Sequence, residues 1–230
     1  MRKLSKRYKE NIEKTKNPIY SNLEEAIKVL KSTATTKFVE TVELHANLNI
    51  DPKYADQQLR TTVTLPNGVG KTVKIAVLTD EENFAEAKSS GADIVGNDDL
   101  IEQITQGNLE FDLLITTPNM MPKLAKLGRI LGPKGLMPSP KSSTVTTDLE
   151  GTLKDFKKGK FEYKTDKTGI VHVSFGKSDF ENNKLIENLT ALYKSIEQNR
   201  PSGVKGKYFK SLFICTTMGP SVKLDLDIFE

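Results

Sequence analysis

Residues 73–96 read VKIAVLTDEENFAEAKSSGADIVG, which places an acidic, helix-like segment between two short apolar runs. The first run, residues 73–78, is nearly continuous rather than alternating, a pattern typical of a strand that is buried on both faces. Another helix-like segment and a further apolar run at residues 113–116 continue the alternation. Strands that alternate with helices predict a parallel sheet covered on both sides. This region is therefore predicted to be a three-layer, Rossmann-like α/β domain.

The sequence before this region follows another pattern. Residues 21–34 open with Ser21 and Glu24 in capping-box spacing and continue as an amphipathic helix. From Phe38 onward the apolar period changes to two, which predicts a half-buried strand with Phe38 on its apolar face. Glu40 interrupts that face, either because the strand starts after it or because its carboxylate has a function. A further strand at residues 59–65 ends in a turn.

The sequence after residue 160 returns to this mixed pattern. Residues 161–165 and 170–175 flank a turn and predict a β-hairpin. A long amphipathic helix and two extended runs close the chain.

These patterns predict two domains, one inserted into the other. The outer one is a split α+β domain of residues 1–67 plus 160–230, and the inserted α/β domain spans residues 68–159. Gly68 and Gly70 lead into the insert and Gly159 leads out of it. Because glycine tolerates backbone conformations that other residues avoid, these three positions are predicted hinges.

Charge is unevenly distributed along the chain. Its 34 Lys and Arg against 30 Asp and Glu give a net charge of only +4. Residues 1–16 nevertheless carry +5, residues 75–115 carry −9 and residues 120–160 carry +6, while residues 200–223 hold five basic groups and no acid. Such asymmetry is typical of a protein with a polyanion on one side, although solvated charged faces produce it too. Charge alone leaves both interpretations open.

Catalytic and metal chemistry find little support in the sequence. Cys215 is the single cysteine, and together with His45 and His172 it is too little for a zinc site of Cys and His ligands, so no metal is predicted. Cys215 lies in an apolar run, which predicts a small buried hydrophobe. The two histidines lie on polar strand faces, where hydrogen bonding is commoner than general-base catalysis. No catalytic residue is predicted, and with no apolar run of about 18 residues no membrane partner is expected.

Nucleotide binding also lacks its motifs. The chain has no Walker A sequence, and the loop after the first strand of the insert is acidic where a dinucleotide fingerprint needs glycines. No cofactor is predicted. A nucleotide-dependent enzyme that uses the inserted domain is kept as the alternative to a binding protein.

Two groups of residues favour RNA as the partner. Residues 127–141, LGRILGPKGLMPSPK, form a stiff loop whose basic residues Arg129, Lys134 and Lys141 face no acid. Its Gly-x-x-Gly turn resembles the backbone clamp of a KH module, but KH-type neighbours are absent, so a rigid surface loop with secondary RNA contacts is predicted. The second group consists of small, polar or basic residues at element ends of the split domain, where hydroxyls and bare amides can bind ribose and phosphate.

Four blocks carry a resemblance to a known family: KFVETVELHANLNIDPKYADQQLRTTVTLPNGVGK (37–71), LGPKGLMPSPKSSTVT (131–146), YKTDKTGIVHVSFGK (163–177) and CTTMGPSVKLD (215–225). In these blocks the chain resembles the L1 family of large-subunit ribosomal proteins, bacterial or plastid type, along essentially its whole length. The resemblance implies a non-catalytic, two-domain protein on ribosomes of a bacterial cytoplasm or a plastid stroma. It further implies binding of large-subunit rRNA in the mobile stalk, help in the release of deacylated tRNA from the exit site, contacts with other large-subunit components, and repression of its own operon mRNA.

The resemblance also implies a main RNA surface. Phe38 and Met218 would supply apolar contact, and Glu40 would accept hydrogen bonds from ribose or base and orient basic groups. Val39 departs from the family pattern, which usually has an acid there. The implied surface consists of Lys37, Phe38, Glu40, Thr41, Lys167, Thr168, His172, Ser211, Thr217, Met218 and Gly219.

Overall fold

The computed structural model describes residues 4–15, 19–204 and 206–229. The strands are β1 (Thr41–Leu48), β2 (Arg60–Thr64), β3 (Ile75–Leu78), β4 (Ile94–Gly96), β5 (Leu113–Thr116), β6 (Lys160–Lys164), β7 (Ile170–Lys177), β8 (Phe209–Thr216) and β9 (Val222–Leu224). The α-helices are α1 (Lys6–Lys14), α2 (Leu23–Thr33), α3 (Phe84–Ser89), α4 (Asp98–Thr105), α5 (Met121–Ala125), α6 (Gly128–Leu131), α7 (Leu149–Lys157) and α8 (Asn182–Gln198). Short 3₁₀ turns are Glu81–Asn83, Pro118–Met120, Pro140–Ser142 and Leu226–Phe229.

The chain divides into two units. One consists of Met1–Gly70 with Glu162–Glu230, and the other of Lys71–Phe161. These boundaries fall three and two residues after those expected from the sequence pattern. The expected hinge residues Gly68, Gly70 and Gly159 all have positive φ, at 63°, 74° and 107°. Four residues counted in the basic blocks lie outside the described residues: Arg2, Lys3, Lys16 and Lys205.

The split unit is built on a four-stranded antiparallel sheet in the order β7-β1-β8-β9. Alternate residues of the central strand β1, from Val42 to Leu48, are at most 1% exposed. Phe175 and Ile214 on the neighbouring strands are fully buried too, and α2 and α8 contact these strands and each other. The residues between the buried ones on β1 are half-exposed. The sheet therefore has one covered apolar face and one accessible polar face.

The inserted unit is a three-stranded parallel sheet in the order β4-β3-β5. Ala76 and Leu78 of β3 point into one core with residues of α4, α5 and α6. Ile75 and Val77 point into a second core with residues of α3 and α7. Helices therefore cover both faces, which confirms the three-layer α/β prediction and explains why the strand sequences do not alternate.

Three details of the sequence-based prediction are wrong. Helix α2 begins at Leu23 and is capped by Asn22, whose side-chain oxygen accepts from the Glu24 N–H at 2.9 Å. Ser21 instead donates to Asp225 across the domain, at 3.2 Å. Both residue types cap helices, so the local sequence left the choice between Ser21 and Asn22 open. Phe38 precedes β1 and is 56% exposed rather than part of the apolar face.

The predicted hairpin is the third error. Strand β6 pairs with β2 in a separate two-stranded sheet, while β7 pairs with β1. Within the described part of the chain, β6 and β7 share one bridge beside the turn, between Thr165 and Val171. Apolar alternation specifies which face of a strand is buried but not which strand lies beside it.

Among the described residues, no helix has the length and apolar character that crossing a membrane requires.

Candidate nucleic-acid interface

The loop before β1 combines exposed apolar side chains with a buried acid. Phe38 and Val39 are 56% and 52% exposed, and Lys37 is also exposed. Glu40 is fully buried. Its Oε2 accepts from the Met218 N–H and its Oε1 from the Thr36 hydroxyl, both at 2.9 Å. The Glu40 carboxylate therefore holds the 217–219 loop against the entry to β1.

Burial of Glu40 has two consequences. Burial alone would raise the pKa of its carboxyl, but hydrogen bonding from Met218, Thr216 and Thr36 outweighs this and lowers the pKa below its usual value. Because the side chain is enclosed, it offers no exposed acceptor to ribose or base, in contrast to the role that the resemblance implied. The carboxylate instead positions Met218, which is 47% exposed.

Two hydrogen bonds between Thr217 and Thr41 join the same two segments. The Thr41 N–H donates to the Thr217 hydroxyl oxygen at 3.0 Å, and the Thr217 N–H donates to the Thr41 carbonyl at 3.1 Å. Lys177, the last residue of β7, donates to the Thr41 hydroxyl at 2.7 Å. Sequence reasoning missed Lys177. This residue ends the block at 163–177 that carries the family resemblance, but only the strand register shows that it lies opposite Thr41.

Gly219 completes this end of the sheet by close packing. A Cβ at this position would lie 2.3 Å from the Thr216 hydroxyl and 3.0 Å from that of Thr33. Thr216 and Thr33 are both buried. Gly219 is thus needed for packing inside the protein, a requirement separate from the close approach of a polynucleotide that the sequence suggested.

The turn between β6 and β7 lies at the opposite end of β1. The Asp166 carboxylate accepts from the N–H groups of Thr168 and Ile170 and from the Thr168 hydroxyl, at 2.7–2.9 Å. Burial would raise the pKa of Asp166, but these hydrogen bonds outweigh it and lower the pKa. Asp166 therefore fixes the turn, and Lys167 and Thr168 remain exposed at its tip.

The middle of the accessible face carries both histidines and the cysteine. His45 pairs with His172 across β1 and β7, with 2.8 Å between their Nδ1 atoms. The His45 Nε2 lies 3.0 Å from Cys215 Sγ. Burial and the neighbouring His172 lower the pKa of His45, while burial and the Glu43 charge raise the pKa of Cys215.

The sequence-based view of Cys215 was therefore wrong. Cys215 is opposite Glu43 in the strand register and shares the polar face with Glu43 and His45. One donor atom from each of these three residues lies within 4.8 Å of the others. The sequence analysis considered only Cys and His as possible ligands and so did not include Glu43. The strand register shows that the Glu43 carboxylate lies beside Cys215 and His45.

The predicted main-surface residues extend along this face. Lys37, Phe38, Thr217 and Met218 lie at one end, His172 in the middle, and Lys167 and Thr168 at the other end. Ser211 is opposite Asn47 near that second end. The eight residues of β1 give the surface a length of about 23 Å. Glu40 and Gly219 support it from within.

The secondary residues belong to the inserted unit. Arg129 lies on α6, and Lys134 and Lys141 follow it; all three are exposed. Hydrogen bonds of the Thr144 hydroxyl with Ser139 and Ser142 hold the end of this loop. Ser143 adopts φ 54°, a left-handed conformation. The segment is an anchored basic surface loop.

Comparison with known proteins finds a family match over most of the chain and relatives along its whole length. Residues 30–220 match the family described as "Ribosomal protein L1p/L10e family". The chain is 80% identical to "Large ribosomal subunit protein uL1c" of Phaeodactylum tricornutum and 77% identical to the protein of that name in Trieres chinensis, each over the full length of both chains. It is 56% identical to "Large ribosomal subunit protein uL1" of Prochlorococcus marinus subsp. pastoris, over the whole chain and 97% of that protein. The chain belongs to the ribosomal protein L1 family.

Proposed function

We propose that this protein is a structural, non-catalytic constituent of the large ribosomal subunit that binds large-subunit rRNA through the accessible face of its split unit. The observation that carries the proposal is the convergence of Lys37, Phe38 and Met218 at one end of that face. They come from segments about 180 residues apart, joined by the buried Glu40 carboxylate. Exposed apolar and basic groups side by side can stack on bases and contact phosphates.

The finer role follows the family resemblance. We propose that the bound RNA is the stalk segment of large-subunit rRNA, that the protein assists release of deacylated tRNA from the exit site, and that it represses its own operon mRNA through the same surface. The names of the relatives favour a ribosome of a plastid stroma or a bacterial cytoplasm. Arg129, Lys134 and Lys141 are proposed as a secondary contact, with Gly68, Gly70 and Gly159 as hinges.

The inserted unit provides no support for the alternative of a nucleotide-dependent enzyme. The segment after β3 carries Asp80, Glu81 and Glu82, whose charges repel phosphate. Tight ATP or NAD binding in a calorimetric titration would restore that alternative.

A gel-shift titration with the stalk rRNA segment tests the proposed surface. Met218→Asp places a negative charge on an exposed apolar contact and is expected to weaken binding at least tenfold. Ile19→Asp is the matched control, because Ile19 is 46% exposed against 47% for Met218 and lies outside the surface. Equal affinities of the two variants would contradict the placement of the site, whereas failure of the unaltered protein to bind would contradict the function itself.

A further inference from the structure

The strand register places three side chains of types that can bind a metal on the middle of the accessible face. Glu43 and His45 are two residues apart on β1, so they share a face, and Cys215 on β8 is opposite Glu43. The His45 Nε2 is 3.0 Å from Cys215 Sγ and 3.9 Å from Glu43 Oε2. Because all three residues lie in paired strands, their backbone positions are fixed by the sheet.

These distances fit a tetrahedral ion after small side-chain movements. With Zn–S bonds of about 2.3 Å and Zn–N and Zn–O bonds of about 2.1 Å, tetrahedral ligand atoms lie about 3.6 Å (N to S) and about 3.4 Å (N to O) apart. The observed separations differ from these by about half an ångström, one shorter and one longer. The side chains of His45 and Glu43 are 26% and 40% exposed, so they have room to adjust.

The donor set selects the ion. Mg²⁺ and Ca²⁺ require oxygen ligands, whereas thiolate with imidazole favours Zn²⁺. Three protein ligands leave a fourth tetrahedral position, which the partial exposure of Glu43 and His45 opens to water. On binding, the Cys215 thiol releases its proton to solvent and the thiolate sulfur forms the bond to the metal.

His172 and Asp166 lie behind His45 and would orient its imidazole ring. When Nε2 of His45 binds a metal, Nδ1 carries the proton, and it faces Nδ1 of His172 at 2.8 Å. His172 then accepts at Nδ1 and carries its own proton on Nε2, which lies 3.7 Å from Asp166 Oδ2. Metal-bound histidines commonly donate their second N–H to such a partner.

We propose that Glu43, His45 and Cys215 form a binding site for one Zn²⁺ ion, with His172 as a positioning residue. This site goes beyond the proposed RNA binding and does not depend on it, because it is tested on the free protein.

The test is calorimetric titration of the tag-free full chain with ZnCl₂, together with the absorption spectrum of the Co²⁺-loaded protein. We expect one ion per chain and a thiolate-to-Co²⁺ charge-transfer band. Cys215→Ser should remove the band and lower zinc affinity at least a hundredfold. Ser174→Ala is the matched control, because Ser174 is opposite Glu43 on the same face and contributes no ligand in this site.

His172 is tested by a pair of substitutions. His172→Phe removes the acceptor for the His45 N–H and should lower zinc affinity about tenfold. His172→Gln retains an acceptor oxygen and should recover part of the loss. Absence of the charge-transfer band in the unaltered protein, or equal zinc affinity in Cys215→Ser, would overturn the site; equal affinity in His172→Phe would overturn the positioning role.

Discussion

Substitution of Glu40 tests whether its carboxylate positions the Met218 segment or contacts RNA directly. The fully buried carboxylate accepts two hydrogen bonds. Hydrogen bonds to charged groups contribute about 1.5–3 kcal/mol each. Glu40→Ala leaves the Met218 N–H without its acceptor, whereas the Thr36 hydroxyl can still donate to the Phe38 carbonyl at 3.0 Å. The substitution should therefore destabilise the split unit by about 3 kcal/mol. Glu40→Gln keeps the shape, and the Thr36 hydroxyl can reverse to accept from the new amide. It should therefore cost only about 1 kcal/mol, the difference between charged and neutral hydrogen bonds.

Tyrosine fluorescence during urea unfolding measures this effect in the intact chain. The protein has no tryptophan, and all six tyrosines (Tyr8, Tyr20, Tyr54, Tyr163, Tyr193 and Tyr208) belong to the split unit. The signal therefore reports on that unit without a contribution from the inserted one. Glu24→Gln is the control, because Glu24 is exposed and its ion pair with Lys28 should contribute no more than about 0.5 kcal/mol.

RNA affinity completes the test of Glu40. Without its acceptor, the Met218 segment is held less firmly, so Glu40→Ala should weaken binding of the stalk rRNA segment about tenfold while leaving the salt dependence unchanged. The reasoning is refuted if Glu40→Ala abolishes RNA binding but leaves the urea midpoint where it was. That result would assign the carboxylate to the RNA, as the family resemblance suggested.

Three further outcomes are expected. Gly219→Ala should destabilise the split unit by about 1–3 kcal/mol, because its Cβ would meet the Thr216 hydroxyl, whereas Gly203→Ala, with nearest atoms at 3.5 Å, should have little effect in the same urea assay. Because the folded pKa of Glu40 is lowered, its carboxylate stabilises the protein above the ordinary value of 4.5 and loses this effect as pH falls. The stability difference between Glu40→Gln and the unaltered protein should therefore be smaller at pH 3 than at pH 7, and an unchanged difference would contradict the assignment. Lys37→Ala should reduce the slope of log affinity against log salt by about 0.7–0.9 if Lys37 contacts a phosphate, and an unchanged slope in filter-binding titrations would show that it does not.

Much of the fold could be predicted because burial leaves a periodic signature. The continuous apolar runs of β3 and β5 reflect a sheet covered on both faces, and the period of two in β1 reflects a sheet covered on one. These patterns arise because each strand carries apolar side chains on every face that is buried. Strand pairing has no such local signature, and so β6 and β7 were wrongly joined as a hairpin.

The exposure of several residues of the proposed surface could be predicted from the sequence, but the packing of its buried members could not. Exposed Lys37, Thr168 and Met218 follow from element ends and from the matched blocks. The burial of Glu40 and the need for a glycine at 219 depend on neighbours that no local pattern specifies. Lys177 was missed for the same reason.

The amino-acid sequence by itself determined the two layered architectures, the family and the segments that carry polar groups, because each depends on local order along the chain. Tertiary structure alone decided which of those groups meet. It joins Glu40 to Met218 across 178 residues and His45 to Cys215 across 170. Both contacts depend on the register between β1 and β8, and that register is set by the packing of the whole sheet against α2 and α8.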